Sequence, residues 1–176
     1  MIRIVLTYGL ISGLDVIIGI ISTMQMSQHS LWLGYLIMLV ALSSILVGVK
    51  QHRDRALGGV IKFRTALLLG LGIAVVAGLV YIAVWEIYLA ATGYTFMDQY
   101  VAQTLEAKRA AGVSGAAYQK VAAEMETMRR QYANPLFRLP MTFIEVFPVG
   151  LLIAVVSAAL LRNPRFLPAR SAPAPI

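Results

Sequence analysis

Four runs of apolar residues, each about 20 long, decide what this chain can become, because that is the length of helix that crosses a ~30 Å hydrocarbon layer. They occupy residues 4–24, 31–49, 65–89 and 141–161. A helix apolar on all sides cannot be satisfied by one soluble core, and in lipid the backbone polar groups must be paired within the segment itself. The predicted fold class is therefore all-α: a polytopic membrane protein, a four-transmembrane-helix bundle, with an extracytoplasmic amphipathic helical hairpin at about 95–133 between the third and fourth helices. Residues 1–165 form a single membrane domain. The Pro-rich stretch 166–176 reads as a disordered cytoplasmic tail.

The first run begins after Arg3, like a secretory leader, but it is too long for one, lacks a small-residue cleavage site, and carries Asp15 in its middle. It is read as a retained helix. The composition agrees with lipid as the main partner, at 59% apolar and 13% charged. The net charge of +7 comes from Lys and Arg flanking the apolar runs, so it points to membrane topology and anionic headgroups, and no nucleic-acid partner is expected. With no cysteine, thiolate metal sites and cysteine nucleophiles are excluded.

Orientation follows from where the positive charges fall. Arg3, Lys50, Arg53, Arg55, Lys62, Arg64, Arg162, Arg165 and Arg170 belong to one face; Lys108, Arg109, Lys120, Arg129, Arg130 and Arg138 are spread through the longer segment on the other. The first face is predicted to be cytoplasmic, with both termini there. Trp32 and Tyr35 open the second run, and Tyr81, Trp85 and Tyr88 close the third, which sets both ends at the outer interface.

In the segment 90–139, Thr95 and Asp98 have capping-box spacing, and Met97, Tyr100, Val101, Thr104 and Leu105 share one helical face. Ser114 is placed to cap a second helix whose apolar stripe is Tyr118, Val121, Ala122, Met125, Met128 and Tyr132, ended by Asn134-Pro135. These stripes are expected to face each other, the bundle or the headgroups. Within the membrane, small residues four apart offer close helix contact: Gly9 and Gly13, Gly70, Ala74 and Gly78, Gly150, Ala154 and Ala158, with Ser44 and Gly48 in the second run.

Few residues carry candidate chemistry. Asp15 lies near mid-membrane, where a charged side chain costs roughly 2.5–3.5 kcal/mol, so it must face the interior, pair, or be protonated. It is either a functional intramembrane acid or a structural one bonded to hydroxyls such as Ser12, Ser43 or Ser44. Glu86 and Glu145 sit toward the outer ends of their helices, where pairing with a base such as Arg138 competes with a proton-relay role. Pro148 removes a hydrogen bond to the Ile144 carbonyl and is read as a kink. Met24, Met26 and His29 resemble soft-metal ligands only weakly, and no metal or cofactor is assigned. His52 is read as a headgroup-facing residue. The Gly-rich run at 70–78 lies inside a helix and serves packing. No nucleotide, zinc-protease or nucleophile-elbow motif is present.

The run GVKQHRDRALGGVIKFRTALLLGLGIAVVAGLVY at 48–81, followed by WEIYLAATGY and later NPLFRLP, resembles the bacterial membrane family known as domain of unknown function 4199. Gly48, Arg53, Asp54, Gly58, Gly59 and Phe63 stand where that family has a basic turn with paired glycines before a small-residue-rich third helix. The resemblance implies a four-helix bacterial inner-membrane protein and no activity. Two functions stay in contention: a non-enzymatic structural or accessory component that associates with itself or another membrane protein, and a small oligomeric transporter or channel subunit using Asp15. A lipid-directed enzyme would rest only on acids near the outer interface.

Overall fold

The computed structural model describes residues 1–25 and 31–169 of the 176. Its helices are α1 (Ile2–Gln25), α2 (Leu31–Leu42), α3 (Ser44–Ala56), α4 (Phe63–Ala91), α5 (Phe96–Ala110), α6 (Gly115–Ala133) and α7 (Pro135–Leu161), and no strand occurs among the described residues. Four segments are long and apolar enough to cross a membrane: Ile2–Thr23, Trp32–Ala56, Phe63–Ala91 and Pro135–Leu161. The all-α, four-span architecture expected from the apolar runs is thus present. The chain divides into two compact units, Met1–Val84 with Phe143–Ile176, and Trp85–Thr142.

In the first unit, helices approach where the sequence offers small side chains. A Cβ added to Gly9 would lie 2.5 Å from Val76, and one added to Gly13 would lie 2.7 Å from the Ala77 carbonyl oxygen, so α1 lies against α4 almost backbone to backbone. Gly70 faces Ala154 and Gly150 faces Ala74 in the same way, seating α7 on α4 reciprocally. Ile17, Leu42, Ile45, Leu69, Ile73 and Leu161 fill the spaces between. Ile18, Val40, Leu68 and Leu152 point outward and are more than half exposed, an apolar exterior that suits lipid.

The second span differs from expectation at both its middle and its end. Its helix is interrupted at Ser43, whose N–H is shared between the Leu39 and Val40 carbonyls while its φ and ψ stay helical, so α2 and α3 form one span with a local tightening. It was expected to end at Val49, but α3 runs to Ala56. Lys, Gln and Arg are good helix formers, and Lys50 pairs with Asp54 one turn on, so helix outlasts the apolar run. The turn proper is 57–62, where Gly58 and Gly59 have φ of +63° and +92°. The third and fourth spans also begin earlier than expected, at Phe63 and Pro135.

Residues 166–169, the described part of the stretch expected as a tail, are tied to α3. Phe166 and Leu167 are held by their carbonyl oxygens: Arg53 Nη1 donates to Phe166 O at 2.9 Å and Nη2 to Leu167 O. Arg53 is completely buried, and its Nε donates to Asp54 Oδ1 at 2.7 Å. Leu167 takes a φ of +46°, and Ala169 lies 3.3 Å from where a Cβ on Gly59 would sit. Residues 170–176 lie outside the described residues.

In the second unit, α4 closes in a Schellman turn: Tyr94 N–H bonds to Leu89 O at 2.7 Å and Gly93 N–H to Ala90 O at 3.2 Å, with Gly93 at φ +65°. The end of α5 repeats this through Val113 to Lys108 O and Gly112 to Arg109 O. The capping box at Thr95 does not form. Thr95 Oγ1 donates back to Thr92 O, and Asp98 faces Arg129 of α6 instead, because Thr95 already has helical φ and ψ and cannot turn its hydroxyl to the first free N–H groups. Ser114 has the extended backbone of an N-cap without the side-chain bond. Asn134 ends α6 and caps α7, its Oδ1 accepting from Leu136 N–H at 3.0 Å with Pro135 in the first helical position. Burial follows the predicted stripes: Val101, Thr104 and Leu105 on α5, and all six stripe residues of α6, are partly covered, whereas Tyr100 is 45% exposed. Contacts between Phe96 and Tyr132 and between Asp98 and Arg129 join the start of α5 to the end of α6.

Candidate functional site

The three intramembrane acids have three different fates. Glu86, on α4, receives a two-pronged ion pair from Arg138 on α7, with Nε to Oε1 at 2.7 Å and Nη2 to Oε2 at 2.8 Å. This is the base expected from the sequence, and the match of planar guanidinium to planar carboxylate is the strong form of such a pair. Arg138 is 4% exposed. Its Nη1 donates to Tyr132 O, and the rings of Tyr94 and Tyr132 flank the guanidinium at 5.3 and 5.6 Å. Each of its three nitrogens therefore donates a hydrogen bond, which makes it a clamp between α4, α6 and α7. Trp85 adds to the same joint by donating Nε1–H to the Tyr132 hydroxyl at 2.8 Å and meeting Phe96 edge to face.

Glu145 on α7 accepts a hydrogen bond from the Tyr81 hydroxyl of α4. Tyr81 is almost wholly buried while Glu145 lies on the outer side of its helix, so the phenol reaches out to the acid. Sequence reading placed Tyr81 only as an interfacial ring. Helix α7 continues through Pro148, which leaves the Ile144 carbonyl without its usual intrahelical donor.

Of the two readings of Asp15, the one that bonds it to Ser12, Ser43 or Ser44 finds no such hydrogen bond among the described residues. Ser12 and Ser44 hydrogen-bond to each other across α1 and α3, and Ser12 also donates to the Tyr8 carbonyl. Asp15 lies on the exposed side of α1 and has no hydrogen bond or ion pair among the described residues. Three residues advance a helix by about 300°, so Asp15 is rotated roughly 60° from buried Ser12, enough to carry it past the contact line.

The basic turn that carries the family resemblance also differs from a headgroup-facing loop. Arg53 is fully buried, His52 is 6% exposed, and Asp54 takes both Lys50 and Arg53. Gly58 and Gly59 supply the left-handed backbone that ends α3, and Phe63 opens α4. Around Arg53 the arrangement holds chain to chain, through Asp54 and the carbonyls of Phe166 and Leu167. The soft-metal run centred on Met26 and His29 lies outside the described residues.

The second unit contains an open cleft of 440 Å³ walled by Leu89, Met97, Tyr94, Tyr132, Arg130 and Arg138. Its rim is an exposed charge lattice. Glu126 accepts from Arg129 and Arg130, which hold its carboxyl at a pKa of about 2, and Arg129 is raised in turn by Glu126 and Asp98. Opposite charges are matched here, so the cleft has no unbalanced sign with which to select an ion.

Comparison with known proteins gives one positive result: the family model described as Protein of unknown function (DUF4199) matches residues 7–163. No curated protein and no solved structure matches the chain.

Proposed function

The chain belongs to that family, whose description assigns no activity, and from this premise we propose that it is a non-enzymatic structural or accessory component of a bacterial cytoplasmic membrane. In this reading both termini are cytoplasmic and the α5–α6 pair forms the extracytoplasmic part. The observation that carries it is the use made of polar groups in the spans. Glu86 is locked to Arg138, Glu145 to Tyr81, and Ser12 to Ser44, each as a local tie between helices. A relay needs groups that exchange partners and change charge; these ties instead resemble the interhelical hydrogen bonds that hold bundles together.

Purified protein in liposomes tests the reading against transport. No flux of protons, sodium or potassium above that of empty vesicles is expected. Flux that disappears in Asp15→Asn while the fold is retained would replace the accessory role with the second reading, a small oligomeric transporter subunit, which the outward Asp15, without a partner among the described residues, favours.

A further inference from the structure

The outward face of α1 has a register of its own. Ile11, Asp15, Ile18 and Ser22 are all exposed, and their spacings of four, three and four residues form one narrow stripe along the span. That is the alternation by which two helices pack side by side at a small crossing angle. Asp15 and Ser22, seven apart, take one of its two positions, and Ile11 and Ile18 take the other. A carboxyl on this stripe that faces only lipid carries the full cost of an intramembrane polar group.

We propose that this stripe is the contact between two copies of the chain, related by an axis along the membrane normal. All copies insert in the same orientation, so α1 of one meets α1 of the other in parallel and at the same depth. In that register like meets like: Asp15 against Asp15, Ser22 against Ser22, with isoleucines between. Both polar layers are self-complementary. A carboxylic acid beside a carboxylate supplies a donor and an acceptor. One Ser22 can keep its bond to the Ile18 carbonyl at 2.7 Å and accept from its counterpart, which turns its own hydroxyl across the contact. A single polar layer of this type also fixes the register of a helix pair that apolar contacts alone would leave free to slide. The inference rests on α1 spanning the bilayer and stands whether or not the accessory role does.

Because the chain has no cysteine, single reporters read this contact without background. In native membranes holding full-length protein, Ile18→Cys should cross-link to a homodimer under mild oxidation, and Leu152→Cys, equally outward on α7, should not. In the Ile18→Cys background, Asp15→Asn should keep the cross-link, since the amide is also self-complementary. Asp15→Leu should slow it by about tenfold, the upper range for one intramembrane hydrogen bond. Copies bearing two different tags must appear together in the product. Equal cross-linking at Ile18→Cys and Leu152→Cys, an adduct containing another protein in place of the second tag, or no difference between the Asn and Leu variants would overturn the proposal.

Discussion

Arg138 shows how much one side chain can hold. Lys at this position would keep the charge but lose the fork that engages both oxygens of Glu86 and the donor to Tyr132 O, and an ammonium sits less well between the Tyr94 and Tyr132 rings. Arg138→Ala leaves the Glu86 carboxylate without its base. Removing one partner of a fully buried ion pair costs about 3–5 kcal/mol, and because the Glu86 side chain is 26% exposed, roughly 2–3 kcal/mol is expected. Arg138→Lys should fall between Ala and wild type. Unfolding in mixed micelles measures all three, and wild-type stability in Arg138→Ala would show that the pair contributes nothing net. That Arg138 pairs with an acid was legible in the sequence, because it stands at the interface where Glu86 and Glu145 both lie. The fates of Arg53 and Asp15 were not. Arg53 binds backbone carbonyls 113 and 114 residues away, which leave no mark in side-chain pattern, and whether Asp15 turns inward depends on the rotation of α1 about its axis.

Helices were the most legible level, and the reason is physical. In lipid the apolar run sets helix length, and small residues set where two backbones can meet, so both can be read directly. Ends were read less well because helix continues past the hydrocarbon into charged residues, as α3 does through Arg53 and Arg55 to Ala56. The small-residue contacts lead to a sharp contrast between two glycines. A Cβ on Gly13 would come within 2.7 Å of Ala77 O and 2.8 Å of Val80, so Gly13→Leu must push α1 away from α4. Overpacking of this type costs about 1–3 kcal/mol. Gly34 on α2 has nothing within 4 Å, and Gly34→Ala should be neutral or gain up to about 1 kcal/mol from helix propensity. Thermal denaturation in one detergent compares them, and a Gly13→Leu protein as stable as Gly34→Ala would mean that α1 and α4 do not touch at these residues.

At the scale of the whole molecule, the four spans fix the connectivity, and the charges between them choose which way it lies. In the proposed topology, four crossings return the chain after α7 to the side on which α1 begins. The turn 57–62 then shares that side, and the segment between α4 and α7 lies on the other. Lys50, Arg53, Arg55, Lys62 and Arg64 cluster within and around that short turn, whereas the Lys and Arg of α5 and α6 are dispersed among Asp98, Glu106, Glu124 and Glu126. Basic residues close to span ends dominate orientation, and dense short loops count more than long segments that are translocated whole. The turn is therefore predicted to be cytoplasmic. A reporter active only in the cytoplasm should work when fused after Gly58 and fail after Ala111, and one active only outside should do the reverse. Replacing Arg55, Lys62 and Arg64 by Gln, while leaving the buried Arg53 to hold the C-terminal segment, should weaken this preference and produce mixed signals at both sites. Activity of the cytoplasmic reporter after Ala111 in the unmodified chain would invert the whole arrangement, and with it the assignment of α5 and α6 to the outer face.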